Sequence, residues 1–123
     1  ARSDQIAQVQ SLGGADVALV TVPSPKAMQA AHACLNPRGR LVIVGLPADN
    51  TLSIPVFETV LRGIQVMGSL VGTRNDLADC FALHAAGRTK VITETRPLES
   101  VNECFEEVLA GKVPARLVFD FAA

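Results

Sequence analysis

Apolar residues along this chain follow two alternating patterns, short β-branched runs and longer segments with helical spacing. The runs at residues 16–22, 40–46 and 64–71 predict three strands, the first of them buried on both faces, and the runs at 91–95 and 115–121 predict two more strands. The helical spacing predicts five helices, at residues 3–12, 24–35, 54–62, 75–86 and 98–110. Strands and helices therefore alternate along most of the chain.

Capping and turn residues indicate where several of these elements begin and end. Ser24 is suited to cap the second helix, with Pro25 in its first turn. Asn75 or Asp76 is expected to cap the fourth helix. The Asn-Pro-Arg-Gly sequence at residues 36–39 predicts a turn before the second strand.

Alternating strands and helices predict an α/β fold built from βαβ units, with right-handed crossovers and a mostly parallel sheet. Ligands of such sheets bind beyond the carboxyl ends of the strands. The loops at residues 21–23, 45–47 and 70–72 follow such ends and should lie side by side if the three strands are neighbours. Their residues are small or apolar, which favours a flat, weakly polar ring; alternatively, Gly45 and Gly72 only make turns.

Composition narrows the class of protein further. A chain of 123 residues with net charge -1 suits one compact soluble domain. Its balanced charge does not indicate the basic surface that binds nucleic acid. The apolar runs are too short for a membrane helix, and the polar start of the chain does not match a signal peptide. Three widely separated cysteines, Cys34, Cys80 and Cys104, predict a reducing, cytoplasmic setting and buried packing roles. His32 and His84 lack a second ligand at helical spacing, so we do not expect them to bind metal.

Three long stretches of the sequence resemble a known family. They are "ALVTVPSPKAMQAAHACLNPRGRLVIVGLP", "VFETVLRGIQVMGSLVGTRNDLADCFALHAAGRTK" and "PLESVNECFEEVLAGKVPARLVFDF". Their specific motifs are the Val-Gly-Leu-Pro loop, the Gly-Ser-x-Val-Gly-x-Arg segment and the x-Arg-x-Val ending. In this order the motifs resemble the C-terminal part of the zinc-containing medium-chain alcohol dehydrogenases, above all bacterial enzymes that act on small primary alcohols.

The resemblance implies an architecture and a cofactor. Residues 1–70 would be the C-terminal half of a doubly wound Rossmann NAD-binding domain, and residues 71–123 would be the segment that returns to the catalytic domain. The strand at 64–70 would pair with its counterpart in a homodimer or a larger homo-oligomer. The residues that would contact NAD(P) are Thr21, Val22, Val44, Gly45, Leu46, Leu70, Val71 and Arg116. Of these, Arg116 would reach the pyrophosphate, and the backbone of residues 44–46 would bond the nicotinamide carboxamide.

Several parts of such an enzyme have no counterpart in this sequence. There is no G-x-G-x-x-G turn, no acidic residue for the adenosine ribose, and no counterpart of the zinc ligands. We therefore expect this chain alone to be unable to oxidise an alcohol, and its first residues look like a helix that has been cut. Two alternatives stay open: a zinc-independent quinone oxidoreductase or enoyl reductase of the same superfamily, and a non-catalytic fragment that self-associates. The substrate and the choice between NAD and NADP also stay open.

Overall fold

The computed structural model describes residues 2–121, and it describes the side chains from residue 4 onward. The chain divides into two compact units rather than the single domain that its length suggested. One unit ends at Val71 and the other begins at Gly72.

The first unit is a three-stranded parallel sheet with helices between its strands. Its elements are α1 (Arg2–Ser11), β1 (Ala15–Val20), α2 (Pro25–Ala33), β2 (Leu35–Ile43), α3 (Val56–Leu61) and β3 (Gln65–Gly68). The strand order is β1-β2-β3, and both pairs are parallel. The predicted α/β class and the three neighbouring strands are therefore confirmed.

α2 packs on one face of this sheet, and α3 is hydrogen-bonded to α2. The core lies there, where Met28 of α2 packs against buried residues of the strands and loops: Val20, Leu35, Leu41 and Ile64. Both crossovers step in the same direction across the sheet, and right-handed crossovers of that kind put their helices on one side.

The other face of the sheet is apolar and uncovered. Val17 is 57% exposed, Leu19 63% and Met67 45%, and Val42 lies between Leu19 and Met67 in the strand register. We call Val17, Leu19, Val42 and Met67 the uncovered face. Parallel sheets are ordinarily covered on both faces.

The predicted turn at residues 36–39 lies inside β2, so its placement before the strand was wrong. The register advances from Ala15↔Leu35 directly to Val17↔Arg40, and the intervening residues of β2 form an irregularity in the pairing. Arg38 has a φ of 63° there, and its amide donates to the carbonyl of Arg62 at 2.7 Å. The turn sequence thus shapes a bulge within the strand rather than a connection to it.

The cap of α2 is confirmed, whereas the expected cap of the fourth helix was wrong. The Ser24 hydroxyl accepts a hydrogen bond from the Ala27 amide, and Pro25 occupies the first turn. The fourth helix instead begins after Thr73. The Thr73 hydroxyl accepts from the Asp76 amide, and the Asp76 carboxylate accepts from the Thr73 amide at 2.6 Å. Hydrogen bonds from the backbone and the hydroxyl of Thr73 hold the pKa of Asp76 below its usual value.

The second unit contains two helices and a two-stranded parallel sheet. Its elements are α4 (Arg74–Ala85), β4 (Thr93–Pro97), a 3₁₀ turn (Leu98–Ser100), α5 (Val101–Leu109) and β5 (Arg116–Asp120). β4 pairs with β5. An apolar groove of about 270 Å³ lies between α5 and β5, with Phe105, Val108 and Phe119 among its lining residues.

The cysteines lie in different environments. Cys104 is buried and Cys34 is partly buried, as their helical positions suggested, but Cys80 is exposed on α4. The prediction that Cys80 packs in a core was therefore wrong, because the part of α4 that the structure describes buries none of its residues.

No helix among residues 2–121 combines the length and apolar character needed to cross a membrane.

Candidate functional site

The three strands of the first unit end together at one edge of the sheet. Val20 pairs with Ile43, and Ile43 pairs with Gly68, so the three strand ends are in register. The residues that follow them, at 21–22, 44–46 and 69–71, form what we call the carboxyl edge. Seven of the eight expected cofactor-binding residues belong to this edge. The eighth, Arg116, lies in the second unit.

The carboxyl edge presents large apolar side chains to solvent. Leu46 is 84% exposed, Leu70 91% and Val71 92%, and Val22 is half exposed. Such a cluster is costly to leave in water, at about 25 cal/mol for each Å² of apolar surface. Clusters of this kind mark sites that bind a ligand or another protein surface.

Close backbone packing explains Gly45 without a ligand. A Cβ at this position would lie 2.3 Å from the Val22 carbonyl oxygen and 2.9 Å from the Pro23 nitrogen. Residue 45 must therefore be glycine for the loop after β2 to approach the loop after β1. Gly72 has a φ of +144°, a conformation that favours glycine, so here the turn itself requires the residue.

The backbone amides of the carboxyl edge divide into occupied and free donors. The amides of Val44 and Gly45 both donate to the Val20 carbonyl, at 2.9 and 3.1 Å. Within residues 2–121, the amides of Leu46 and Val71 find no acceptor. Of the segment expected to bond a carboxamide, only Leu46 therefore retains a free donor.

The carboxyl edge contains no ionisable side chain in its three segments. Proton transfer by a side chain needs a titratable group within hydrogen-bond reach of the reacting atom. These segments can therefore bind and orient an uncharged ring, but they cannot act on it as an acid or a base.

Arg116 stands at the start of β5, where its side chain helps to line the groove beside α5. Its amide donates to the Ile92 carbonyl at 2.9 Å. The guanidinium forms no salt bridge within the part of the chain that the structure describes. It is thus available to an anion, and a guanidinium matches phosphate oxygens in two-point contacts.

Potential metal ligands are scattered through the described chain. No three side chains of His, Cys, Asp or Glu among the described residues lie close enough together to hold a metal ion. His84 is exposed on α4, whereas His32 is buried and hydrogen-bonded to Thr59. Sequence reasoning missed this bond, and the only available signal was the alignment of His32 with the apolar positions of α2.

Comparison with known families identifies the class of protein. The family model described as zinc-binding dehydrogenase matches residues 1–86, and the chain therefore belongs to the zinc-binding dehydrogenase family. The resemblance seen in the sequence motifs is confirmed.

Particular relatives are named alcohol dehydrogenases. The chain is 42% identical over 112 residues to "Alcohol dehydrogenase" of Moraxella sp. (strain TAE123), covering 91% of this chain and 33% of the relative. It is 40% identical over 118 residues to "Alcohol dehydrogenase" of Rhizobium meliloti (strain 1021), covering 95% and 34%. The crystal structure of the alcohol dehydrogenase from Aeropyrum pernix superimposes with a TM-score of 0.85 at 29% identity, covering 96% of this chain and 35% of that one. The chain thus spans about a third of the length of these relatives.

Proposed function

We propose that the protein containing this chain is an NAD(P)-dependent alcohol dehydrogenase that transfers hydride between a small alcohol or aldehyde and nicotinamide. Relatives that are 42% and 40% identical to this chain over the aligned residues are named alcohol dehydrogenases. The carboxyl edge is the observation that carries the proposal, because exposed apolar side chains and free amides meet there at the ends of three parallel strands.

The residues of this edge are suited to hold a nicotinamide ring. When bound, nicotinamide supplies the hydride chemistry, and the protein positions it. Val22, Leu46, Leu70 and Val71 would shield the ring from water, and Val44 and Gly45 would keep the loop after β2 in place. The free amides of Leu46 and Val71 would donate to the carboxamide, while the Thr21 hydroxyl is suited to the neighbouring ribose.

The described residues do not fit a zinc site. They bring no set of three potential ligands together, so no step in this proposal is assigned to zinc held by this chain. A catalytic zinc, which would polarise the alcohol in an enzyme of this family, needs ligands from elsewhere in the protein.

We assign residues 1–70 to the C-terminal half of the NAD-binding domain. The uncovered face supports this assignment, since a doubly wound sheet receives helices on its second face from strands added beyond β1. Residues 71–123 are assigned to the catalytic domain. There Arg116 would reach the cofactor pyrophosphate.

The zinc-independent alternatives, a quinone oxidoreductase or an enoyl reductase, are less well supported because the named relatives are alcohol dehydrogenases. Self-association remains a second proposed function, compatible with the first. β3 is an edge strand whose four residues are all exposed, so it could pair with β3 of a second copy.

Cofactor affinity tests the proposal most directly. In the complete protein, we expect Leu46→Asp to weaken NAD(H) or NADP(H) binding at least tenfold, because it puts a carboxylate against the ring. Leu12→Asp is the matched control: Leu12 is 87% exposed, and we expect that variant to bind normally. Arg116→Ala should also weaken binding by about tenfold or more, whereas Arg88→Ala should not.

Isothermal titration calorimetry with both cofactors measures these affinities and decides between NAD and NADP. Equal affinities for the Leu46→Asp and Leu12→Asp proteins would remove the carboxyl edge from the cofactor site. An affinity unchanged by Arg116→Ala would remove that guanidinium alone.

A further inference from the structure

A polar pair lies on the same side of the sheet as the uncovered face, toward the amino ends of the strands. Arg40 and Gln65 stand two residues before Val42 and Met67 on β2 and β3, so the pleat directs all four side chains to one side. Both polar residues are exposed. The apolar rows of the uncovered face therefore end in an arginine and a glutamine, away from the carboxyl edge.

Arg40 and Gln65 together present hydrogen-bond donors to solvent. Nε of Arg40 donates to Oε1 of Gln65 at 3.3 Å, and this bond uses the amide oxygen because a guanidinium cannot accept. Among the described residues, the Gln65 amide nitrogen is left without an acceptor, and Arg40 forms no salt bridge. The pair is therefore suited to a group with two acceptor oxygens, which among side chains is a carboxylate.

The sheet itself supplies no partner for the charge of Arg40. Asp16 is the one carboxylate on the three strands, and it accepts a hydrogen bond from the Asn36 amide at 3.1 Å. Neither Asp16 nor Arg40 takes part in a salt bridge within residues 4–121. Any segment that extends over Arg40 must therefore bring an acceptor, because a buried guanidinium without a counter-charge is strongly destabilising.

We propose that Arg40 and Gln65 form a carboxylate-binding anchor for an amphipathic segment of the same protein that covers the uncovered face. The segment places apolar side chains over Leu19, Val42 and Met67, and one Asp or Glu opposite Arg40. The remainder of the protein supplies it, since this chain spans about a third of the length of its named relatives. The inference rests on the assignment of residues 1–70 to half of a doubly wound domain, and it adds the charge and the direction of the covering segment.

Charge complementarity favours this occupant over a second copy of the same face. Neither the residues of the uncovered face nor the polar pair beside them include a carboxylate. Two copies that met through this face would bury its apolar residues but would leave the charge of Arg40 without a partner on either side. A covering segment with its own acidic residue satisfies both the apolar rows and the guanidinium.

Chemical cross-linking of the complete protein tests the anchor. In the Arg40→Lys protein, a water-soluble carbodiimide should join the introduced amine to an Asp or Glu outside residues 1–123, because this reagent links an amine and a carboxylate that are in contact. Arg88→Lys, at an exposed position of the second unit, is the matched control and should not link to that carboxylate. Mass spectrometry of mixed ¹⁵N-labelled and unlabelled subunits separates links within one chain from links between copies.

The proposal is overturned if the Arg40→Lys protein gives no cross-link, a link within residues 1–123 or a link between copies. A second measurement needs no variant. Phenylglyoxal, which modifies exposed guanidinium groups, should label Arg40 of the native protein at least about tenfold more slowly than in the same protein unfolded in urea. Equal rates would show that no segment covers Arg40.

Neither readout involves the cofactor. A protein that binds NAD(H) or NADP(H) but gives no such cross-link would lose the anchor alone, and the proposed dehydrogenase function would stand.

Discussion

At the scale of single residues, Gly45 shows how close backbone packing can impose an amino acid. Its position against Val22 and Pro23 leaves no room for a methyl group. We expect Gly45→Ala to lower the free energy of unfolding by about 1–3 kcal/mol, because the two loops must separate. The matched variant is Gly68→Ala, where a Cβ meets nothing within 4 Å, and its stability should change little. Urea denaturation measures the free energy of unfolding of both variants. A loss for Gly45→Ala as small as that for Gly68→Ala would show that the two loops accommodate the added methyl group.

The sequence could single out Gly45 and His32 but could not give the physical reason for either residue. The position of Gly45 after a strand indicated a loop at the carboxyl edge, yet two explanations, ligand approach and turn, were both open. The actual reason is contact with Val22, more than twenty positions earlier in the chain, and no local pattern contains that distance. The burial of His32 was likewise readable from helical spacing, but its bond to Thr59 depends on how two helices pack.

At the scale of elements, the irregularity in β2 contains a residue under backbone strain. Arg38 has a φ of 63°, a region that costs a residue with a side chain roughly 1–2 kcal/mol. We therefore expect Arg38→Gly to stabilise the chain by up to about 1 kcal/mol. Arg40→Gly is the control, since Arg40 pairs regularly with Gln65, and it should destabilise by about 0.5–1 kcal/mol. A melting temperature that falls for both variants would mean that the Arg38 side chain contributes more to stability than its backbone conformation costs.

Element types were predictable from the sequence, and their boundaries were less so. Hydrophobic spacing sufficed to locate all three strands of the first unit, because each strand lies within or ends in a run of apolar residues. The start of β2 was misplaced, since Asn-Pro-Arg-Gly is a turn sequence wherever it occurs and only pairing with β1 absorbs it into a strand. Thr73 was overlooked as a cap because Asn75 and Asp76 are equally good capping residues in isolation.

At the scale of the whole molecule, the uncovered face is the feature with the largest energetic consequence. If the remainder of the protein covers it, Leu19→Glu should destabilise the complete protein by about 2–4 kcal/mol, through lost apolar burial and an unpaired charge. Leu12→Glu, at an exposed position outside the sheet, should stay within about 0.5 kcal/mol of the unmodified protein. Chemical denaturation compares the two. A small effect at Leu19 would contradict the assignment of residues 1–70 to half of a doubly wound domain.

The one-directional order of the strands also has a consequence for how the sheet assembles during synthesis. Both strand pairs described in this unit are parallel, so β1 and β2 each gain their next partner only after a helix and the following strand have left the ribosome. Within this unit, β1 therefore has no partner until β2, which pairs on both sides, has emerged. A nascent chain that stalls before residue 43 would leave the edge of β1 that faces β2 open to other strands, and a chaperone could shield that edge.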